Sequence, residues 1–259
     1  MCNPKEPNWF CDDYPTIREA GSIEEYHSFF TPATVHHSVV CEASSIYLYS
    51  QNAIANIFNY NPKSKIIVHV RNPIDLLYSW HSQLVFNLVE NEKNFVEAWR
   101  LQDKRRGRPF LQYGKIGSHG SQVQRLFSIF DQQQVHVVLF DDLKSDTSQV
   151  YKDTLRFLHI PFDGRTNFPK VNESKCNVLP FVTKMLRCRS DFILNYLELI
   201  KRTFNIQLVG VSNFILNRNY KIRTLPPLPA AFRLELFNYF KADIKLLSDQ
   251  IGRDLSHWR

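Results

Sequence analysis

Glycine is scarce in this chain, and no stretch of it is apolar enough to cross a membrane. Only 8 of its 259 residues are glycine, and none of them builds the glycine-rich loop that cradles phosphates in Walker-type kinases. No run approaches the roughly twenty apolar residues that a membrane helix needs, and no signal peptide is visible. The five cysteines are scattered without the paired spacing of a zinc site, and their odd number favours a reducing compartment.

The bulk composition is that of a globular protein with a basic surface. Hydrophobic residues make up 44% of the sequence and charged residues 22%. The net charge of +7 suits a polyanion, a nucleotide or an acidic membrane face without choosing among them. The length, together with the lack of an internal repeat or a low-complexity linker, predicts a single domain over residues 1–259.

The segment from Lys65 to Ser82 predicts a strand, a tight turn and a helix. Its first part, Ile66 to Val70, is a short apolar run rich in β-branched residues, which is typical of a buried strand in a parallel sheet. Asn72 is a favourable N-cap, and Pro73 suits the first helical position. The helix would then continue to about residue 88.

A phosphate site is one interpretation of this unit. Ligands of open α/β sheets bind at the carboxyl ends of the strands, where Arg71 is expected. Ser79 would add a hydroxyl from the second turn of the helix. An arginine, a hydroxyl and a helix N-terminus together suit a phosphate group. An arginine that forms an ion pair at a sheet edge explains the same residues, so both interpretations stay open at this point.

The segment R-N-P-I-D-L-L-Y-S-W, at Arg71 to Trp80, resembles the 3′-phosphate-binding segment of sulfotransferases that use 3′-phosphoadenosine 5′-phosphosulfate, in their bacterial and heparan-type branch. Six further segments resemble that family in the same order: K-E-P-N-W-F at 5–10, C-E-A-S-S-I-Y-L at 41–48, Y-G-K-I-G-S-H-G-S-Q-V at 113–123, V-H-V-V-L-F-D-D-L at 135–143, N-E-S-K at 172–175 and L-S-D-Q-I-G-R-D-L-S-H-W at 247–258. Their joint order is specific.

The resemblance implies an α/β fold, with a three-layer parallel sheet flanked by helices, as in P-loop-NTPase-like sulfotransferases. Family members begin with a strand and a lysine-containing loop for the 5′-phosphosulfate, and neither is found upstream of Lys5. The sequence is therefore expected to be an N-terminally truncated form. Residues 178–223 fall outside the resemblance, and we expect them to form a helical insertion that caps the acceptor side.

The resemblance also implies the donor site. The family's arginine and serine correspond to Arg71 and Ser79, and its late cation corresponds to Lys175. These three residues would hold the 3′-phosphate of 3′-phosphoadenosine 5′-phosphosulfate, the co-substrate. No metal or redox cofactor is expected.

Catalysis is assigned by the resemblance to the segment at the N-terminus. Glu6 would take the proton from the acceptor hydroxyl or amine as the general base. Lys5 would stabilise the charge that develops on the bridging oxygen. Glu42 is a second candidate carboxylate, expected at the end of a strand over Val39 to Cys41; an ion pair beneath the loop explains it equally well.

The predicted function is transfer of a sulfuryl group to an acceptor hydroxyl or amine. The alternative is a non-catalytic pseudoenzyme or fragment that binds a nucleotide or a polyanion, since the 5′-phosphosulfate loop is missing. The acceptor is a glycan, a lipid or a small molecule; no nucleic-acid partner is expected. The basic residues from Lys104 to Arg108 either recognise an anionic acceptor or form a solvated loop. The compartment is cytoplasmic, or the Golgi lumen if a longer N-terminus carries an anchor.

Overall fold

The computed structural model describes residues 2–105, 107–169, 175–177, 220–222 and 224–259, and they form an α/β protein. The helices are α1 Ile23–Ser28, α2 Ala53–Tyr60, α3 Pro73–Phe86, α4 Phe95–Arg100, α5 Tyr113–Gly117, α6 His119–Phe127, α7 Phe140–Ser145, α8 Thr147–Leu158 and α9 Ala230–Ile251. The strands are β1 Ile66–Val70, β2 Val135–Leu139, β3 Lys175–Asn177 and β4 Tyr220–Ile222.

The chain divides into two compact units. Unit 1 comprises Met1–Asp75, Gly114–Pro169 and Arg233–Arg259, and unit 2 comprises Leu76–Tyr113 and Lys170–Phe232. The boundary falls inside the first turn of α3. A single domain over residues 1–259 stays a prediction.

The parallel strand pair of unit 1 confirms the predicted α/β class. β1 pairs with β2 in parallel, from Ile66 opposite Val135 to Val70 opposite Leu139. Parallel strands need a long crossover between them, and α3 to α6 lie in that crossover. Because the two strands end in register, the residues that follow them lie at the same edge of the sheet.

Apolar side chains from the strands and helices form the core of unit 1. Val70 and Leu139 at the strand ends are almost completely buried. The helices contribute fully buried side chains, namely Leu126 from α6 and Leu236 and Phe240 from α9. Burying one such side chain stabilises a fold by about 1.5–3 kcal/mol, so this packing fixes the strand ends on which the site depends.

Unit 2 has its own small aromatic core. The ring of Phe95, at the start of α4, packs edge-on against the rings of Tyr113 and Phe232, with centroids 5.5 and 5.7 Å apart. Unit 2 also contains the antiparallel pair β3–β4, with Lys175 opposite Ile222. Of the predicted helical insertion at 178–223, only the residues of β4 are described, and the rest lies outside the described residues.

The predicted N-cap of α3 is confirmed, and two further helix ends have caps of their own. The Asn72 side chain accepts a hydrogen bond from the Ile74 backbone at 3.0 Å, as predicted for the N-cap of α3. Ser22 caps α1 in the same way through Glu25. Gly252 directly follows α9, and its φ of +63° is a left-handed conformation that favours glycine.

One predicted strand is wrong. The residues from Val39 to Cys41 are irregular. The backbone carbonyl of Cys41 accepts a single hydrogen bond, from the Cys2 amide at 3.1 Å. A strand needs a ladder of such bonds, and β-branched composition alone does not provide a partner strand.

Across the described residues, no helix is long and apolar enough to span a membrane.

Candidate functional site

Arg71 follows the last residue of β1 and lies half-buried at the carboxyl edge of the parallel pair. Its guanidinium carbon lies 4.7 Å from the ring centroid of Phe140, the residue that follows β2. Burial lowers the pKa of Arg71, while Asp75 and Asp141 act in the opposite direction. The side chain remains a cation, because an arginine is not deprotonated in a protein.

Both acids near Arg71 are bound by other side chains. Asp75 pairs with Arg233 at 3.0 Å. Asp141 accepts hydrogen bonds from the indole of Trp258 at 2.5 Å and from the ring of His257 at 3.2 Å. In the described part of the chain, no ion pair joins Arg71 to a carboxylate. The edge ion pair that the sequence left open is therefore absent from these residues, and the cation rests on an aromatic ring.

The start of α6 packs against the backbone of Arg71. His119 is buried, and burial lowers its pKa to about 4; the nearby Asp243 carboxylate and the Arg71 backbone offset part of that shift. The Asp243 carboxylate caps α6 by accepting hydrogen bonds from the amides of Gly120 and Ser121, at 2.7 and 2.9 Å. A Cβ on Gly120 would lie 2.2 Å from the Asp243 carbonyl oxygen, so only glycine allows this approach.

The other two predicted phosphate ligands are placed only in part. Ser79 lies half-buried in the second turn of α3, as the pattern predicted. Lys175 begins β3, and its side chain lies outside the described residues, as do residues 170–174, which include the start of the N-E-S-K segment. Their role in phosphate binding stays a prediction.

The predicted base, Glu6, and its neighbour Lys5 are both exposed. One Glu6 carboxylate oxygen accepts a hydrogen bond from the hydroxyl of Ser45 at 3.1 Å. The side-chain amide of Asn8 donates a hydrogen bond to the backbone carbonyl of Glu6 at 2.9 Å. Asn8 adopts a left-handed conformation, with φ at 49°, which asparagine tolerates better than most residues. The backbone that carries Glu6 is thus held while its carboxylate faces solvent.

Glu42 is half-buried and surrounded by hydroxyl groups. Its Oε1 accepts hydrogen bonds from the hydroxyls of Tyr26 and Tyr47, each at 2.9 Å, and its Oε2 accepts one from Ser44 at 3.4 Å. Burial raises the pKa of Glu42, although the three hydrogen bonds act in the opposite direction. We call these four residues the Glu42 cluster.

Ser44 and Ser45 bring the two candidate carboxylates together. The hydroxyl of Ser45 bonds Glu6, and the hydroxyl of Ser44 bonds Glu42. Ser44 also accepts a hydrogen bond from the backbone amide of Asn8 at 3.0 Å. The segment after Glu6 is therefore anchored to the loop that carries Glu42. Tyr47 lies in the segment at 41–48 that resembles the family, but its contact to Glu42 and that of Tyr26 depend on tertiary packing and could not be predicted from the sequence.

The basic residues of the segment from Lys104 to Arg108 differ in their contacts. Arg105 pairs with the buried carboxylate of Glu90, which also accepts a hydrogen bond from the Tyr113 hydroxyl at 2.8 Å. We call these three residues the Glu90 cluster. Lys104 and Arg108 are exposed, in keeping with a solvated loop.

The part of the chain that the structure describes holds no group of three acidic, histidine or cysteine side chains placed to bind a metal ion.

Three comparisons with known proteins point to one family. A family model described as "Sulfotransferase domain" matches residues 52–181, half of the chain. The mouse (Mus musculus) bifunctional heparan sulfate N-deacetylase/N-sulfotransferase 4 is 29% identical over 53% of this chain, and the chain spans only 16% of the length of that relative. The crystal structure of a sulfotransferase from Alicyclobacillus acidocaldarius superimposes with a TM-score of 0.71, at 22% identity, over 100% of this chain and 87% of that one.

The structural likeness confirms the predicted sulfotransferase fold. The family match includes β1, the Arg71 turn, α3 and β2, which build the edge described above. The chain therefore belongs to the sulfotransferase family, whose general reaction is sulfuryl transfer.

Proposed function

We propose that this protein transfers a sulfuryl group from 3′-phosphoadenosine 5′-phosphosulfate to an acceptor hydroxyl or amine. The observation that supports this proposal most is that Arg71 has no carboxylate partner among the described residues. Its cation lies at the carboxyl edge of β1 and β2, beside a capped helix N-terminus, and its two acidic neighbours are bound elsewhere. A half-buried cation without a carboxylate partner in the described chain is suited to an anionic ligand.

Arg71, Ser79 and Lys175 are proposed to hold the 3′-phosphate. Arg71 presents a planar fork of donors, which matches two phosphate oxygens. Ser79 supplies a hydroxyl from the helix that begins two residues after Arg71. Lys175 would add a second cation, which would favour the doubly charged phosphate over a neutral ribose hydroxyl.

The reaction itself is a displacement at sulfur. The acceptor oxygen forms a bond to sulfur while the bond between sulfur and the bridging phosphate oxygen breaks. The Glu6 carboxylate takes the acceptor proton, and adenosine 3′,5′-bisphosphate leaves with the electron pair. Lys5 stabilises the negative charge on the leaving oxygen. No metal or redox step enters this balance, and the protein contributes mainly positioning and electrostatic stabilisation.

Glu6 suits the base better than Glu42 does. A general base must be within hydrogen-bonding reach of the substrate, and the Glu6 carboxylate is exposed with a single hydroxyl contact. The Glu42 carboxylate already accepts three hydrogen bonds, so its oxygens are less available to a substrate proton. We therefore propose that Glu42 positions the Glu6 segment through Ser44 and does not itself take the proton.

The test is turnover of radiolabelled 3′-phosphoadenosine 5′-[³⁵S]phosphosulfate, with 2-naphthol and a heparan-type oligosaccharide as acceptors. Glu6→Gln should lower kcat by about 10²–10⁴-fold, the usual contribution of a general base, while nucleotide affinity stays unchanged. Glu24→Gln, at an exposed position in α1, is the matched control and should turn over normally. Full activity in Glu6→Gln would overturn the assignment of the base. Nucleotide binding without turnover would identify the alternative, a binding protein.

A further inference from the structure

Residues 253–259, which we call the C-terminal segment, pack within unit 1 against the first turn of α7, directly after β2. The guanidinium of Arg253 forms a two-pronged ion pair with the Asp142 carboxylate, with N–O distances of 3.0 and 2.9 Å. The indole N–H of Trp258 donates to the Asp141 carboxylate at 2.5 Å. One short segment therefore binds two adjacent carboxylates of α7.

Packing holds the contact between Trp258 and Asp141 in place. Trp258 is only 2% exposed, and its backbone amide closes a turn by donating to the Leu255 carbonyl at 3.0 Å. An indole has one N–H donor and no acceptor, so the ring in this position can serve only an acceptor. The exposed His257 ring bonds the same Asp141 oxygen at 3.2 Å. The C-terminal segment thus supplies Asp141 with two partners.

Asp141 lies where it would otherwise compete for Arg71. Because β1 and β2 end in register, the Arg71 guanidinium carbon lies 4.7 Å from the ring centroid of Phe140, and Asp141 is the next residue. Asp141 and Asp75 are both close enough to raise the pKa of Arg71. An arginine uses the same planar fork of donors for a carboxylate as for a phosphate. A carboxylate paired with Arg71 would therefore exclude an anionic ligand.

The second acid, Asp75, is also bound by a side chain other than Arg71. Arg233, near the start of α9, pairs with the Asp75 carboxylate at 3.0 Å. The Nε of Arg233 also donates to the backbone carbonyl of Arg259 at 2.8 Å, which ties this guanidinium to the C-terminal segment. Each of the two carboxylates thus has a partner that belongs to the C-terminal segment or is bound by it.

We propose that the C-terminal segment, together with Arg233, keeps Arg71 free of carboxylates so that its donors stay open to the 3′-phosphate. Trp258 and Arg233 are positioning residues in this proposal, because they act through Asp141 and Asp75 rather than on the ligand. The inference rests on the proposed function, since it concerns the same phosphate. A released carboxylate that pairs with Arg71 would lower the apparent nucleotide affinity in proportion to the unpaired fraction that remains.

The first experiment measures the rate at which phenylglyoxal modifies Arg71 in the full chain without nucleotide, by mass spectrometry. The double variant His257→Ala/Trp258→Phe removes both donors to Asp141 and keeps an aromatic ring at the buried position. We expect Arg71 to react about fivefold more slowly, because a carboxylate then covers its guanidinium. Adding Asp141→Asn should restore the rate. Arg156, an exposed arginine of α8, is the internal reference and should react equally in every variant.

The second experiment measures binding of adenosine 3′,5′-bisphosphate to the same proteins by calorimetry. The double variant should bind about fivefold more weakly than the wild type, and adding Asp141→Asn should restore the affinity. Loss of packing alone would not be restored in both measurements by removing one charge. Tyr151→Phe is the matched control, because the Tyr151 hydroxyl donates to Asp163 at 2.8 Å, and its removal takes an aromatic donor from a different aspartate. Its affinity should be unchanged.

A second set of variants keeps the test informative if the double variant does not fold. Arg233→Gln releases Asp75 while Asp141 keeps its own partners. Modification of Arg71 should then be slower and nucleotide binding weaker, each by about threefold. Adding Asp75→Asn should restore both.

Unchanged modification of Arg71 in the double variant and in Arg233→Gln would overturn the inference. A slower rate that is not restored by neutralising the released carboxylate would overturn it as well. Because the modification needs no nucleotide, failure of the proposed function would appear separately. It would appear as slower, restorable modification of Arg71 in a chain whose nucleotide affinity does not follow, which would support the shielding of Arg71 and contradict its role in holding the 3′-phosphate.

Discussion

Unit 1 and unit 2 each contain a carboxylate that accepts a hydrogen bond from a tyrosine hydroxyl, yet the pKa values of the two groups shift in opposite directions. Glu42 in unit 1 accepts hydrogen bonds from neutral hydroxyls, and burial raises its pKa. Burial also acts to raise the pKa of Glu90 in unit 2, but hydrogen bonds from the Glu92 backbone, Tyr113 and Arg105, together with the Arg105 charge, outweigh it and lower that pKa. The Glu90 cluster contains a cation, Arg105, and the Glu42 cluster contains none.

The comparison distinguishes Glu90, whose ionised form is favoured by folding, from Glu42, whose protonated form is favoured by folding. With Arg105 beside it, the Glu90 carboxylate stays ionised and links Arg105 to Tyr113 within unit 2. Without a cation in its cluster, Glu42 has a pKa that burial raises above the ordinary value. The two pKa values therefore shift in opposite directions, because the hydrogen bonds from the Glu92 backbone, Tyr113 and Arg105, together with the Arg105 charge, outweigh desolvation at Glu90, whereas three neutral hydroxyls do not outweigh it at Glu42.

The largest expected effect comes from removing that charge. Arg105→Met should lower the free energy of unfolding by about 3 kcal/mol at pH 7, because it leaves the Glu90 carboxylate buried without a counter-charge. Urea denaturation measures it, with Lys104→Met as the exposed control, for which a change within about 0.5 kcal/mol is expected. Adding Glu90→Gln to Arg105→Met should recover part of the loss. An unchanged unfolding midpoint in Arg105→Met would remove the basis of the comparison.

A smaller effect, with opposite signs in the two clusters, should appear in the pH dependence of stability. The pKa of Glu42 is raised on folding, so its contribution is present below the ordinary value of 4.5 and is lost as pH rises through the folded pKa. The pKa of Glu90 is lowered, so its contribution is present above 4.5 and is lost as pH falls. Urea midpoints between pH 3 and pH 8 should therefore lose a falling component in Glu42→Gln and a rising one in Glu90→Gln. Equal profiles for the two variants would contradict this reasoning.

The smallest effect concerns single hydroxyl groups. Tyr47→Phe should cost about 1 kcal/mol of stability and raise the pKa of Glu42 further, since the lost hydrogen bond lowers it. Tyr113→Phe should cost more, about 1.5–3 kcal/mol, because its hydroxyl bonds an ionised partner. Carbon-detected NMR titration of the two glutamates gives the pKa values, and denaturation gives the stabilities. A larger loss in Tyr47→Phe than in Tyr113→Phe would reverse the ranking.

The sequence predicted what depends on local patterns. The apolar run at 66–70 and the Asn72 cap were both confirmed, because each follows from neighbouring residues. The strand expected at Val39 to Cys41 was wrong, since a strand also requires a partner. The role of Arg105 could not be separated from that of its basic neighbours, because Glu90 lies fifteen residues away and meets it only in the folded chain.

In the candidate site, too, local features could be predicted from the sequence and contacts between distant segments could not. The placement of Arg71 after a strand and of Ser79 in the next helix could be predicted from the sequence. The aromatic support of Phe140 and the packing of His119 against the Arg71 backbone could not, because they join segments about fifty or more residues apart. The assignment of catalytic and binding roles to these residues stays a prediction.

The most direct test of the central claim is calorimetric titration of the chain with adenosine 3′,5′-bisphosphate, in the wild type and in Arg71→Ala. Arg156→Ala, at an exposed arginine of α8, is the matched control for loss of one positive charge. We predict binding in the wild type and the control, and at least about tenfold weaker binding in Arg71→Ala, because a hydrogen bond to a charged group contributes about 1.5–3 kcal/mol. A folded wild type that does not bind, or an Arg71→Ala variant that binds equally well, would contradict the account.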